Sequence, residues 1–162
     1  MSILDDTDFI RVSTHAAESL VDAYYTALNS ARAQLESFYV PVTQLPTGRS
    51  LPYISYNGQV FSDPAAFKKS FEEMPWTHYE AQSFDVHVMN PSMNAIESKS
   101  KKDHERNMSL VVQVSGYVRL HERKEGPLKG FSDSFVLVPN KEEAGGRQTG
   151  SSCEGMSITR FL

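Results

Sequence analysis

Between Ser13 and Tyr39, the residues Ala17, Leu20, Val21, Tyr24, Leu28, Ala31, Leu35 and Phe38 recur every three or four positions. That spacing lines one broad apolar stripe and predicts an amphipathic helix over 13–39. Ser13 or Thr14 can cap its start, and Pro41, which has no amide hydrogen, cannot continue it. With a rise of about 1.5 Å per residue, such a helix is on the order of 40 Å long. A stripe of that length must be buried on an equally long apolar surface. This requirement limits what the rest of the chain can form.

Strand-like segments downstream supply that surface. A short strand is predicted at 52–57, followed by Asn57-Gly58, a hairpin-turn dipeptide. A second helix starts at Asp63-Pro64, with Asp as cap and Pro in the first turn, and buries Phe67, Phe71 and Met74 before Pro75 stops it. Residues 79–89 place Phe84, Val86 and Val88 on one face and Ser83, Asp85 and His87 on the other. Residues 108–120 place Met108, Leu110, Val112, Val114, Val118 and Leu120 on one face, and 131–138 and 156–162 read as two more strands. Two stretches, 91–107 and 139–155, are rich in Ser, Gly, Asn and charge, exceed hairpin length, and read as mobile or functional loops. The chain of 162 residues shows no internal repeat and reads as one domain. Helices first and an antiparallel meander afterwards predict an α+β fold, a curved sheet wrapped around one long helix.

Charge and cysteine content narrow the function classes. The only cysteine, Cys153, cannot close an intramolecular disulfide, so the chain is not a disulfide scaffold. No apolar run approaches the roughly 18 residues of a membrane span, and the N-terminus carries Asp5, Asp6 and Asp8 where a signal peptide would be basic. The expectation is a soluble intracellular domain without a membrane partner. Residues 98–129 hold eight bases against four acids, so a local charge of +4 sits on a body that sums to −8. A basic zone of this kind attracts phosphates, and it also fits a pair of solvated loop faces.

A sheet with a helix on one side leaves its other side open. Along 108–120 that outward set is Ser109, Val111, Gln113, Ser115, Tyr117 and Arg119, a mixture that fits a protein interface better than solvent. On 156–162 one face would carry Met156, Ile158, Arg160 and Leu162, an apolar row with one guanidinium that reads as interface or as core.

Several segments share their order and spacing with a known family. They are Tyr24-Tyr25 with Leu28, Arg32, Leu35 and Phe38-Tyr39; Asn57-Gly58; Phe71-Glu72-Glu73-Met74-Pro75; and Ser83-Phe84-Asp85-Val86-His87. Gly116-Tyr117-Val118, the run Phe131-Ser132-Asp133-Ser134-Phe135-Val136-Leu137, and Thr159-Arg160-Phe161 complete the series. Together they resemble the nuclear transport factor 2-like superfamily, and within it are similar to the fungal mRNA transport regulators, the small subunits of heterodimeric mRNA export receptors. The resemblance implies a cone-shaped α+β fold with neither enzymatic activity nor cofactor. Such a subunit pairs, sheet to sheet, with the related domain of a larger export receptor subunit. The heterodimer carries mRNA, and in fungi precursors of the large ribosomal subunit, through nuclear pores by contacting Phe-Gly-repeat nucleoporins. The implied location is the nucleus, the pore and, by shuttling, the cytoplasm. In animal relatives an arginine of the last strand, set between aromatic residues, pairs with an aspartate of the partner. Arg160 is the matching position, with Thr159 replacing the first aromatic and Phe161 following it.

Physical chemistry makes the Arg160 role reasonable, because a buried guanidinium needs an acceptor and a carboxylate takes it bidentately. Loss of one member of such a pair typically costs about 3–5 kcal/mol. The expected interface set is therefore Arg160, Ile158, Leu162 and Phe161 with Asp85, His87, Val111, Gln113 and Tyr117.

Enzymes of this superfamily need a base and an oxyanion donor inside a closed cavity. The best dyad, Asp85 and His87, lies opposite Phe84, Val86 and Val88 and so points away from the helix. Tyr24 and Tyr25 lie in an apolar stripe and read as core or rim. The histidines show no metal-like spacing, and the chain has neither a phosphate cradle nor a nucleophile elbow. Lys99, Lys101, Lys102 and Arg106 are the candidate RNA contacts, extended by Arg123 and Lys124 with Arg119 and Lys129 on the neighbouring hairpin. Interleaved acids and the lack of aromatics there point to backbone contact without base readout. The expected function is a non-catalytic export subunit; a small isomerase or dehydratase and a homodimeric transport factor are the alternatives.

Overall fold

Asp5 and Asp8 fix where the first helix begins. The Asp8 amide donates to Asp5 Oδ1 at 2.8 Å and the Asp5 amide to Asp8 Oδ2 at 3.2 Å, a reciprocal capping box. Helix α1 therefore spans Asp6–Ser30, its cap about two turns ahead of the expected one at Ser13 or Thr14. Ser13 is buried inside α1, its hydroxyl donating to the Ile10 carbonyl. The expected helix over 13–39 also breaks, at Ala31 (φ −146°, ψ 54°), and a 3₁₀ helix, Arg32–Phe38, takes over. Leu35 and Phe38 stay on the buried side because a three-residue spacing keeps one face in a 3₁₀ helix as well.

The computed structural model describes residues 3–139 and the backbone of 156–161. After the 3₁₀ helix come β1 (Thr43–Gln44), β2 (Ser50–Leu51), β3 (Ile54–Tyr56), β4 (Gln59–Phe61), α2 (Pro64–Glu73) and β5 (Thr77–Asn90). Then follow α3 (Lys101–Glu105), β6 (Ser109–Leu120), β7 (Leu128–Pro139) and β8 (Met156–Phe161). β1 and β2 form a small ladder absent from the sequence expectation, being too short to show a period. Asn57 (φ 48°) and Gly58 (φ 84°) make the expected turn between β3 and β4. Asp63 caps α2 by accepting from the Ala65 amide at 2.9 Å, and Phe67 and Phe71 are fully buried.

The main sheet is antiparallel in the order β5-β6-β7-β8. Leu110, Val112, Val114, Phe135 and Leu137 on its inner side are essentially inaccessible and pack with Ala17, Leu20, Tyr24 and Leu28 of α1 in one core. Edge-on ring contacts fill the space between helix and sheet: Tyr24 lies 5.0 Å from Phe135, and Tyr79 5.2 Å from Phe131. A bulge between Ala81 and Ser83 bends β5 opposite Gly116. A Cβ at Gly116 would overlap the Glu80 carbonyl oxygen, so only glycine fits this close approach. The 91–107 segment, expected to be mobile or functional, is built around buried Asn107. Its side-chain Nδ2 donates to the Asn94 carbonyl at 2.8 Å, and its Oδ1 accepts from the Asn94 backbone amide at 3.1 Å. Of the second expected loop, residues 140–155 lie outside the described residues, Cys153 among them.

Arg32 joins three elements. Nε donates to Leu28 O of α1 at 2.9 Å, Nη1 to Phe71 O of α2 at 2.8 Å, and Nη2 to the carbonyl and hydroxyl of Thr77 at the start of β5. Replacing Arg32 with Met keeps the stem and strands these acceptors. We expect a loss of about 3 kcal/mol in urea unfolding, from charge-assisted bonds worth about 1.5–3 kcal/mol each. An unchanged midpoint would contradict this role.

Candidate functional site

Successive strand residues face opposite sides, so burying one set leaves the other on the outside of the sheet. Directly paired residues share a face, and the register therefore assembles rows across the strands. One row is His87, Val111, Val136 and Thr159; the next is Asp85, Gln113, Ser134 and Phe161. Beyond them run Ser83, Ser115 and Ser132, then Glu80, Tyr117 and Gly130. Asp85, His87 and Gln113 are exposed, Val111 and Val136 half-buried, and Tyr117 is 47% exposed. Five of the residues expected at an interface, Asp85, His87, Val111, Gln113 and Tyr117, thus converge on one open face.

On the last strand the register separates the two alternating sets. Ile158 and Arg160 register opposite Leu137 and Phe135, which are fully buried on the helix side, while Thr159 and Phe161 register opposite Val136 and Ser134. The alternation within 156–162 was legible in the sequence, but which set joins the open face depends on cross-strand register. Leu162 lies outside the described residues.

The basic residues do not form one zone. The 91–107 segment enters β6 at its start and the 121–127 turn leaves it at its end, so the two groups lie at opposite ends of a strand roughly 36 Å long. Lys101 is already engaged, its Nζ 2.9 Å from Asp8 Oδ1. Arg11 donates to Glu105 at 2.5 Å and lies 3.4 Å from the same Asp8 oxygen. Two ion pairs thus clamp α3 to the first turns of α1. Lys99, Lys102 and Arg106 remain exposed on this segment. At the other end, Arg119 donates to Gly126 O at 3.0 Å and Lys124 is exposed. Arg123 sits 5.9 Å from the Trp76 ring, which also stacks on His78. Trp76 escaped the sequence reading, since nothing in its local pattern marks it.

Lys101, hydrogen-bonded to Asp8, and the Asp5 amide hold the Asp8 carboxyl down at about 2, and Asp8 in turn raises Lys101. A carboxyl lowered on folding stabilises the fold above its unfolded value near 3.8, and that stabilisation disappears as pH falls toward 2. We expect the clamp to loosen over this window, read as faster amide exchange in 98–106. Asp8→Asn should abolish the pH dependence, and a mutant profile matching the unmodified chain would refute the assignment.

Inside the sheet, Tyr25 donates to Asp133 Oδ2 at 2.5 Å, and the Tyr24 and Tyr39 hydroxyls lie 2.5 Å apart. Asp133 is wholly buried and was missed as an inner residue, although strict alternation with Phe131 and Phe135 marks it. A shallow groove of about 400 Å³ between β4 and α2 is floored by Phe61, Ala66 and Met74, with Lys69 and Glu73 at its side. No helix among the described residues is long and apolar enough to cross a membrane.

The sequence profile of the Nuclear transport factor 2 (NTF2) domain matches residues 16–146. No curated protein matches the chain significantly in sequence. Among solved structures, the chain is similar to the Chaetomium thermophilum Mex67 NTF2-like domain complexed with Mtr2. Identity there is 25% and the TM-score 0.72, over 91% of this chain and 95% of that one. It shares its fold with a chain of the structure of Sac3N peptide bound to Mex67:Mtr2 (24% identity, TM-score 0.73, 91% and 95% covered). The same holds for the structure of Mtr2 (22% identity, TM-score 0.72, 91% and 96% covered).

Proposed function

Because the chain belongs to the nuclear transport factor 2 domain family, we propose that it is the non-catalytic small subunit of an mRNA export receptor. It docks the outer face of β5–β8 on the NTF2-like domain of a larger subunit. The observation that carries this reading is the open face on which Asp85, His87, Val111, Gln113 and Tyr117 converge. Its mixture of half-buried valines, an exposed tyrosine and short polar side chains suits an interface of apolar core and polar rim. The likeness to a Mex67 NTF2-like domain complexed with Mtr2 supports a partner of that kind.

The interior supports binding over catalysis. An isomerase-type site would occupy the space between α1 and the sheet, where Tyr24, Tyr25, Phe131 and Phe135 pack ring against ring. Asp85 and His87, the strongest acid–base pair in the sequence, lie on the outside. In this reading the heterodimer works in the nucleus and at the pore, shuttles to the cytoplasm, meets Phe-Gly-repeat nucleoporins, and carries RNA or pre-ribosomal particles. The RNA contacts fall to Lys99, Lys102 and Arg106 at one end of the sheet and to Arg123 and Lys124 at the other, with Lys101 holding the first set in place. Phe161, in the outer row with Ser134, acts from the last strand, and Arg160, whose register puts it with Ile158 in the helix-side set, pairs with a carboxylate that the partner brings past the outer face to that set.

Two measurements test this. Light scattering of the chain mixed with the larger subunit should give a one-to-one complex, which Val111→Arg abolishes and Arg160→Asp weakens at least tenfold. A monomer or self-dimer with no such complex would defeat the proposal, and an unaffected Arg160→Asp variant would remove Arg160 from it. Neutralising Lys99, Lys102 and Arg106 should flatten the salt dependence of RNA binding by the heterodimer, by up to about 0.7 per lost phosphate contact on single strands. An unaltered slope would place RNA elsewhere.

A further inference from the structure

Residues 119–129 contain no tryptophan, tyrosine or phenylalanine, yet the fold brings an aromatic ring to them. Trp76, the only tryptophan of the chain, immediately precedes β5, and its carbonyl accepts from the His121 amide at 2.9 Å. His78 pairs with Arg119, while the next pair, Tyr79 and Val118, is buried beneath the sheet. His78 and Arg119 therefore face outward, and Trp76, two residues before His78, shares that side. The Trp76 and His78 rings stack with planes 10° apart and centroids 6.1 Å apart, and the Arg123 guanidinium lies 5.9 Å from the indole centre. Trp76 is half-buried, and His78, Arg123 and Lys124 are exposed.

The turn that carries the cations is held in place. The Leu120 amide donates to Pro127 O at 3.0 Å, Arg119 Nη1 donates to Gly126 O at 3.0 Å, and a Cβ at Gly126 would overlap Leu120 O. Its charge is also uncommitted. Residues 119–129 hold Arg119, Arg123, Lys124 and Lys129 against Glu122 and Glu125. None of the ion pairs among the described residues uses any of these four cations. At the opposite end of β6, by contrast, Lys101 is engaged by Asp8.

A protein seated on this end would have to bring a carboxylate for each cation, whereas a polynucleotide carries a phosphate at every step. Indole, imidazole and guanidinium are also the planar groups on which unpaired bases stack. Cations beside an aromatic platform are the two parts that single-stranded nucleic acid requires of its binding surface.

We propose that Trp76 and His78 form a base-stacking platform for single-stranded RNA, with Arg123 and Lys124 holding the phosphates beside it. This inference rests on the RNA-carrying reading of the heterodimer and changes its chemistry: contact at this end includes the bases, where the basic segments alone would engage only the backbone. Every base has a π-face, so such a platform accepts RNA without regard to sequence.

The test uses the heterodimer with fluorotryptophan incorporated into this chain only, so that Trp76 gives one fluorine resonance. The probes are a short oligouridylate and inorganic polyphosphate, a polyanion without bases. Oligouridylate should shift the resonance and polyphosphate should not. Trp76→Ala, with dichroism and heterodimer formation as controls of folding, should weaken oligouridylate binding about tenfold. Its salt slope should stay unchanged, because no phosphate contact is lost. A resonance unmoved by oligouridylate, or unchanged affinity in the folded variant, overturns the platform while the RNA-carrying reading stands. If the unsubstituted heterodimer binds no oligouridylate, both fail. A resonance that shifts when the larger subunit binds, and no further with RNA, would assign Trp76 to the protein interface and defeat the inference. If Trp76→Ala does not fold, the fluorine resonance and His78→Ala, on an exposed ring, decide by the same criteria.

Discussion

Three carbonyl oxygens meet where α1 and α2 end and β5 begins, and all three accept from one guanidinium. Leu28 O and Phe71 O belong to last helical turns, whose carbonyls lack the regular amide partner four residues on, although Phe71 O also accepts from the Met74 amide at 3.3 Å. Arg32 reaches both and then ties Thr77 to them. The break at Ala31 is what brings Arg32 to this point: a helix continued straight through 39 would carry the guanidinium away from α2. A cation at two helix C-termini also opposes the partial negative charge that the aligned peptide dipoles place there. One side chain thus ties the long helix, the second helix and the sheet together where they meet, above the apolar core they share.

With these elements tied together, the sheet has a definite inside. Tyr24, Tyr25, Phe131 and Phe135 fill the space beneath it, and Gly116 with the β5 bulge gives the curvature that lets the sheet follow α1. The period of two then makes the outside a consequence of the inside. Each buried Leu110, Val112 and Val114 is flanked by a residue that must face outward. The character of the open face follows from what was left over, and it is mixed: valines, serines, a tyrosine, a carboxylate and an imidazole.

The parts of this arrangement that obey local rules were legible in the sequence. Asp63-Pro64 located α2, Asn57-Gly58 located the hairpin turn, and alternation sorted β5 and β6 correctly into inner and outer sets. The misses have physical reasons. The start of α1 went to Ser13 or Thr14 because hydroxyls are familiar caps, while Asp5 and Asp8 form a box with carboxylates on both sides. The break at Ala31 left no trace because 3₁₀ and α spacing agree over Leu35 and Phe38. The pairing of Lys101 with Asp8 joins positions far apart in sequence, and no local pattern announces such a contact. The face of Arg160 depended on register against β7, which a strand read alone does not contain.

The clamp and the sheet face divide the work of charge in this molecule. Net charge of −4 on the whole chain conceals a basic stretch, and the fold separates that stretch into two ends of β6. At one end Asp8 spends its charge on Lys101 and Arg11, so the acids near the N-terminus act as structural counter-ions and do not simply repel phosphate. The cations left exposed there are held on a short helix pinned to α1, away from the middle of the sheet. The centre of the outer face, by contrast, is built of Ser, Gln and Val, with Asp85 and His87 along one strand. A surface whose middle is nearly neutral and whose ends are basic can be covered by a protein domain without hiding its cations. Partner binding and polyanion contact then need not compete for the same side chains.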